Sequence, residues 1–375
     1  MQFIDLKKQY EVLKPQMDEA IAKVLDSAHY IGGAEVKELE QQLAEYVGVK
    51  HCLSCGNGTD ALTIAMRCLD VKEGDAVFVP DFTFFASAEV VSLEKATPIF
   101  VDVDSRTFNI SADSLEKAII SVKEEGKLNL KAIVVVDLFG QPADFEAIRK
   151  IADKYNMPIV EDGAQGFGGS INGKKACSFG DIATTSFFPA KPVGCYGDGG
   201  AIFTNCDEYY DLMKSLAVHG KGSDKYDNVR IGYNSRLDTI QAGILQVKLK
   251  AFKDYELESR NVVANRYKDL LSEVVATPLV LDGFVSSWAQ YTVILNDGVN
   301  RTDVQAKLKG MGIPTMVYYP TPMHMETAFK GAKLYVECPN AEMLKNKVMS
   351  IPMHPYLDEN TQNEIINALI KVLDK

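Results

Sequence analysis

No apolar run in this 375-residue chain approaches the ~20 residues that a membrane-spanning helix needs, and residues 1–10 carry charges where a leader would carry an apolar core. A secreted or anchored protein is therefore not expected. Basic clusters are missing as well: the formal net charge is −11 and no long Lys/Arg run occurs, which excludes a nucleic-acid footprint. Cysteine is present but forms no framework. Seven residues, an odd number, are scattered between Cys52 and Cys338, the usage of a reducing compartment, so the cytoplasm is the expected location. The single C-x-x-C, Cys52 with Cys55, has only His51 beside it and no second pair; it reads as two core thiols, and no metal site is expected. No H-E-x-x-H, Walker A or G-x-S-x-G sequence occurs, which removes the commonest metalloprotease, P-loop and hydrolase readings. Internal repeats and low-complexity tracts are absent too.

What is present is apolar material sufficient for two packed domains, at 46% hydrophobic residues. Val36, Leu39, Leu43 and Tyr46 recur at helical spacing, and Gly48 stops that helix. Short apolar segments then alternate with helical ones: 51–55, a helix from Thr59, 76–80, 98–103, 131–138, a helix from Asp144, 157–160, 181–188 and 201–204. Such alternation predicts an α/β fold, a mostly parallel mixed sheet flanked by helices. From about Phe252 the pattern changes to a long amphipathic helix, a strand at 290–295, a helix opening at Thr302 and a stop at Gly310 and Gly312. A smaller α+β C-terminal domain is expected there, with boundaries at residues 1–250 and 251–375.

The most informative stretch is 185–201, T-S-F-F-P-A-K-P-V-G-C-Y-G-D-G-G-A. Lys191 stands in it between Pro189 and Pro192, on a constrained loop leaving a strand end, where open α/β sheets place their ligands. Upstream, Gly56-Asn57-Gly58-Thr59-Asp60-Ala61 lies between a strand and a helix, where free N–H groups and the helix dipole make an anion site. Two other readings of this turn stay open. It is also a tight turn that needs its glycines, or the G-x-G-x-x-A of a dinucleotide fold with Asp81 after the next strand. At 157–165, M-P-I-V-E-D-G-A-Q, a buried-strand pattern delivers Asp162 to a strand end, a position where an acidic residue alone is commonly a cap or turn former. Together, a lysine for a Schiff base, an aspartate for a protonated ring nitrogen and a glycine-rich helix start for a phosphate describe a pyridoxal-phosphate site. Asp162 keeps the pyridine nitrogen protonated and Lys191 moves the proton; a dinucleotide dehydrogenase needs neither.

With these residues in place the chain resembles the DegT/DnrJ/EryC1/StrS family of sugar-nucleotide aminotransferases. The resemblance runs from Phe3-Ile4-Asp5-Leu6 and Tyr30-Ile31-Gly32-Gly33 to Tyr319-Pro320, and its specific parts are 56–62, 161–165, 186–191 and 232–236. It implies the aspartate-aminotransferase-like, fold type I architecture with pyridoxal 5'-phosphate as cofactor. Lys191 is then the Schiff-base lysine and catalytic base, Asp162 the pyridinium partner, and Gln165 lies against the ring side. The backbone amides of Thr59 and Asp60 and the Ser186 hydroxyl hold the phosphate, and Phe84 stacks above the ring. Asn234 reaches the same phosphate from the neighbouring subunit, which implies a homodimer with shared active sites. The implied reaction takes the amino group of L-glutamate, passes it through pyridoxamine phosphate, and delivers it to a nucleotide-linked keto-sugar, giving an amino sugar for surface polysaccharide.

The runs 225–241 and 187–192 are similar to those of members acting on UDP-2-acetamido-2-deoxy-3-oxo-glucuronate, with Arg236 pairing the sugar carboxylate. Tyr318 departs from that subgroup, standing where a histidine of V-H-Y-P is expected. Together with Tyr319 it is expected at the sugar, and UDP- or dTDP-linked 4-keto-6-deoxy sugars stay open as acceptors. His324 matches a family position near the sugar pocket. The family's dehydratase branch has histidine in place of the Schiff-base lysine, which Lys191 argues against. Two readings of other classes compete: an NAD(P)-binding oxidoreductase built on Gly56 to Ala61 and Asp81, and a pyridoxal-phosphate fold kept as a non-catalytic binding module.

Overall fold

Seven segments, most of them apolar and rich in β-branched residues, assemble into one sheet in a computed structural model that describes residues 1–224 and 226–373; Lys225, in the 225–241 run, lies outside the described residues. The strands are β1 (His51–Cys55), β2 (Asp75–Pro80), β3 (Thr97–Val101), β4 (Asn129–Val136) and β5 (Ile159–Asp162), then the short β6 (Ser170–Ile171) and β7 (Lys174–Lys175), then β8 (Ile182–Ser186) and β9 (Gly200–Thr204). The order in the large sheet is β1-β9-β8-β5-β4-β2-β3. From β8 to β3 every pairing is parallel, whereas β9 runs antiparallel to both β8 and β1. The loops after β1, β2, β4, β5 and β8 therefore leave from the same edge, and that edge is where a ligand binds in an open sheet.

Burial follows from this parallel centre. β2 is covered on both faces, so its sequence is a continuous apolar run and not an alternating one. Val77 and Val79 point into a core with Ile64 of α3 (Gly58–Cys68), Val91 of α4 (Ala86–Leu93) and Met213 of α7 (Asp207–Ala217). Ala76 and Phe78 point the other way, to Ile119 of α5 (Ala112–Glu125) and Ile148 of α6 (Phe145–Lys154), as the period of two requires. At the β1 edge, Leu39 and Leu43 of α2 (Ala34–Val47) pack against Leu245 of α8 (Thr239–Ala251). Preceding all of these is α1 (Leu6–Ser27), whose Leu13 and Met17 pack on Ile244 of α8.

The change of pattern expected near Phe252 falls inside one continuous helix. α8 passes through a π-turn at Phe252–Glu256 directly into α9 (Leu257–Leu271). Beyond it lie β10 (Phe284–Val285), which pairs with β6, and the antiparallel pair β11 (Tyr291–Ile294) and β12 (Val348–Ile351). With α9, α10 (Arg301–Gly310) and α12 (Glu359–Leu373), this pair encloses a second core of Tyr267, Tyr291, Leu308, Ile351 and Leu369, whereas α11 (Pro339–Lys347) turns its buried side to the large sheet. Met323, Phe329 and Leu344 cross back to join the core of the large sheet. No described helix is long and apolar enough to cross a membrane.

Candidate active site

Lys191 sits on the β8–β9 loop, as its proline-flanked sequence requires. The loop is clasped by Phe187 N–H to Gly199 O (2.7 Å) and Cys195 N–H to Phe187 O (2.8 Å), and the Lys191 amide itself donates to Phe188 O at 2.8 Å. A lysine on so constrained a loop loses little entropy when its amine is held in one place. Burial pushes that amine toward its neutral form, and the facing carboxylate of Asp162 only partly offsets the shift.

Asp162 ends β5 with its side chain buried. Its Oδ2 accepts from Ser87 Oγ at 2.7 Å and its Oδ1 from Ala164 N–H at 3.2 Å. Burial raises its pKa, while the Ser87 bond, the Ala164 bond and Lys191 act in the opposite sense. Behind it lie two more buried carboxyl groups. Glu161 accepts from the amides of Cys177, Phe179 (2.7 Å) and Gly180 (2.9 Å), and burial pushes both Glu161 and its neighbour Asp137 upward. Sequence reasoning missed Ser87, because a serine in the first turn of α4 carries no signal of a partner on β5.

The glycine-rich turn begins α3, with Asn57 as N-cap accepting from Asp60 N–H at 2.8 Å. Of the two amides expected at the phosphate, that of Asp60 is thus engaged by the cap and that of Thr59 is not. Ser186, at the end of β8, closes the other wall. A Cβ on Gly58 would come within 2.8 Å of Ser186 Cβ, and one on Gly200 within 2.6 Å of the Asn57 carbonyl, so both positions must be glycine for strand and helix to approach this closely. Ser186 Oγ accepts from Phe188 N–H at 3.2 Å, which leaves its own proton for a further acceptor. A helix N-terminus, a hydroxyl and a space free of side chains form a cradle that fits a phosphate.

Aromatic rings form the other side. Phe84 is 55% exposed, with its ring 6.1 Å from that of Tyr319, and Tyr319 in turn packs 5.8 Å from Tyr318 and 6.2 Å from Phe82. Gln165 donates from Nε2 to Tyr319 Oη at 2.9 Å and accepts from Phe139 N–H at 2.8 Å, so its amide is held at both ends. His324, expected near the sugar pocket, is engaged by Asp81. Its Nδ1 pairs with Asp81 Oδ2 at 2.6 Å and its amide with Oδ1 at 2.9 Å, making it a clamp between the β2–α4 loop and the 316–325 segment. The same pair overturns the dinucleotide reading, since Asp81 is completely buried and committed to His324, with nothing left for a ribose.

Residues 234–236 are extended and alternate. Ser235 points inward, its Oγ donating to Asp60 Oδ2 at 2.6 Å and accepting from Gly56 N–H at 2.9 Å, so it pins the phosphate turn. Asn234 and Arg236 consequently point outward and are exposed. Ser235 is a second residue that sequence reasoning passed over, having attended to its two flanking neighbours.

Comparison with known proteins accords with this geometry. A model of the DegT/DnrJ/EryC1/StrS aminotransferase family matches residues 12–370. A UDP-2-acetamido-2-deoxy-3-oxo-D-glucuronate aminotransferase from Pseudomonas aeruginosa is 46% identical over 98% of this chain and 99% of its own. The crystal structure of a DegT DnrJ EryC1 StrS aminotransferase from Brucella abortus superposes with a TM-score of 0.97 at 45% identity, covering 100% of both chains. NtdA from Bacillus subtilis, solved with bound cofactor PMP, superposes at 0.86 with 27% identity over 97% of this chain and 82% of its own.

Proposed function

Because the chain belongs to the DegT/DnrJ/EryC1/StrS aminotransferase family, we propose that it moves an amino group from L-glutamate to a nucleotide-linked keto-sugar, a UDP-2-acetamido-3-keto-uronate. The observation that carries this reading is the placement of Lys191 and Asp162 across one site, between the Gly58–Ser186 cradle and the Gln165–Tyr319–Phe84 wall. Pyridoxal phosphate, when bound there, supplies a ring that withdraws electrons from the reacting carbon. Thr59 N–H and Ser186 Oγ would hold its phosphate, Phe84 would cover its ring, and Asp162 would keep a proton on its ring nitrogen. Lys191 Nζ, biased by burial toward the neutral amine, would carry the proton off the donor's α carbon in the first half-reaction and deliver one to the amine-bearing sugar carbon in the second.

Asn234 and Arg236 complete the site from a second copy, making a homodimer with shared active sites. Supporting this, both are exposed, as are Ile231 (81% exposed) and Val229 (54% exposed) on the same segment, apolar side chains that a second copy would cover. Arg236 then pairs the sugar carboxylate through its planar fork, with Tyr318 and Tyr319 at the sugar. We further infer the division at 250/251 into a large and a small domain, supported by the separate core around Tyr267 and Ile351. The test is to load the protein with pyridoxamine phosphate and present a panel of UDP- and dTDP-linked keto-sugars while recording the visible spectrum of the cofactor. Reversion with the UDP-linked 3-keto-uronate is expected; reversion only with a 4-keto-6-deoxy sugar would refute the acceptor.

A further inference from the structure

The Asp162 carboxyl is buried, at 5% exposure, so its ionisation depends chiefly on the protein groups around it. Those in its field are Lys191 from the β8–β9 loop, Asp137, Cys177 and Tyr319, while Glu161, its neighbour on β5, points to the opposite face. Of these only Lys191 brings positive charge, and Glu161 is already spent on three backbone amides. Among the groups that oppose the effect of burial at Asp162, Ser87 stands first, ahead of the Ala164 amide and of Lys191. Ser87 is itself buried in the first turn of α4, with its amide bonded to Phe84 O at 3.2 Å and its hydroxyl 3.2 Å from that of the fully buried Thr83. One turn of chain, 83–87, thus carries both the exposed ring of Phe84 and the hydroxyl that meets Asp162.

We propose that Ser87 is a positioning residue for Asp162, its hydroxyl, braced by Thr83, orienting and stabilising the carboxylate that keeps the proton on the cofactor's ring nitrogen. This rests on the aminotransferase reading above. A carboxylate that accepts a strong hydrogen bond gives up electron density and becomes a weaker base, so a proton shared with a pyridine nitrogen stays on nitrogen. Without the bond the proton moves toward Asp162 and the ring withdraws electrons less well.

The test uses the full chain reconstituted with pyridoxal phosphate carrying a ¹⁵N label at the ring nitrogen. In Ser87→Ala the ¹⁵N resonance is expected to move from the pyridinium toward the neutral pyridine position, with kcat falling on the order of tenfold to hundredfold and KM for the amino donor little changed. Ser87→Thr restores the parent resonance. Ser87→Cys fills the hydroxyl's volume with a weaker donor and gives an intermediate shift, and it decides the matter if the alanine variant does not fold. An unchanged resonance and kcat in Ser87→Ala, or in Ser87→Cys where that is the variant that folds, overturns the proposal. A parent protein with no bound pyridinium signal at all would instead sink the cofactor reading itself, so the two failures are distinct.

Discussion

Asp162 at the end of β5 and Glu256 at the end of the π-turn are both buried carboxylates with a lysine in their field, Lys191 and Lys248 respectively. At Asp162 both oxygens are bonded to the protein, by Ser87 and Ala164, and the group left open is the Lys191 amine. Around Glu256 the open valences lie on all members. Oε1 accepts from Gln9 at 2.9 Å and Tyr356 at 2.5 Å, but among the described residues Glu256 Oε2, Lys248 Nζ, Arg260 Nε and His354 Nδ1 have no hydrogen-bond partner. Lys248 instead lies 4.5 Å over the ring of Tyr196, and burial pushes it down to about 8. The comparison teaches that an ionisable group left open beside a cradle and an aromatic wall is available for chemistry. One sealed between helices is a cost that surrounding packing offsets.

The sharpest way to separate the two regions is to remove a charge from each. Lys191→Ala is expected to lower transamination about 10³-fold, with the urea midpoint holding or rising because the lost amine was desolvated. Turnover that survives the substitution would break the assignment of Lys191 as the catalytic base. Glu256→Ala should show the reverse: a loss of about 3–5 kcal/mol in urea unfolding, since Lys248 and Arg260 would be left buried without a counter-charge, and unchanged turnover per folded molecule. A smaller effect comes from His354, which burial holds down to about 4 with help from Arg260. The folded protein keeps this ring neutral between pH 4 and 6.5 while the unfolded chain binds the proton, so stability falls as pH drops through that window. His354→Phe should therefore lose about 2–3 kcal/mol less than the parent between pH 7 and 4, measured by urea unfolding at each pH. Equal losses in the two proteins would show that His354 is not sealed off.

Much of the first region was legible in the sequence, and almost none of the second. Lys191 declared itself by its two prolines, Asp162 by the apolar run ahead of it, and the α3 start by its glycines; each signal is confined to a few consecutive residues. The central strands were found for the same reason, because burial on both faces leaves an unbroken apolar run such as that of β2. The bond of His324 to Asp81 was not foreseen, because a motif position says nothing of which carboxylate will claim a ring. The π-turn left no mark on a helical pattern that continues on both sides of it, and with it the Lys248–Glu256–Arg260 face stayed hidden.

Local chemistry, then, was determined by the sequence alone: which segments extend, which coil, and which strand ends carry an amine, a carboxyl and an anion turn. Periodicity, prolines and glycines act over a few residues and need no fold to be read. Only the tertiary structure decided which groups hold those residues in their working state. Ser87 meets Asp162 across 75 residues of chain, Ser235 meets Asp60 across 175, and His324 meets Asp81 across 243. Such pairs are set by the order and direction of strands in the sheet, and that arrangement, not any stretch of neighbouring residues, brings the hydroxyl of α4 to the carboxylate of β5.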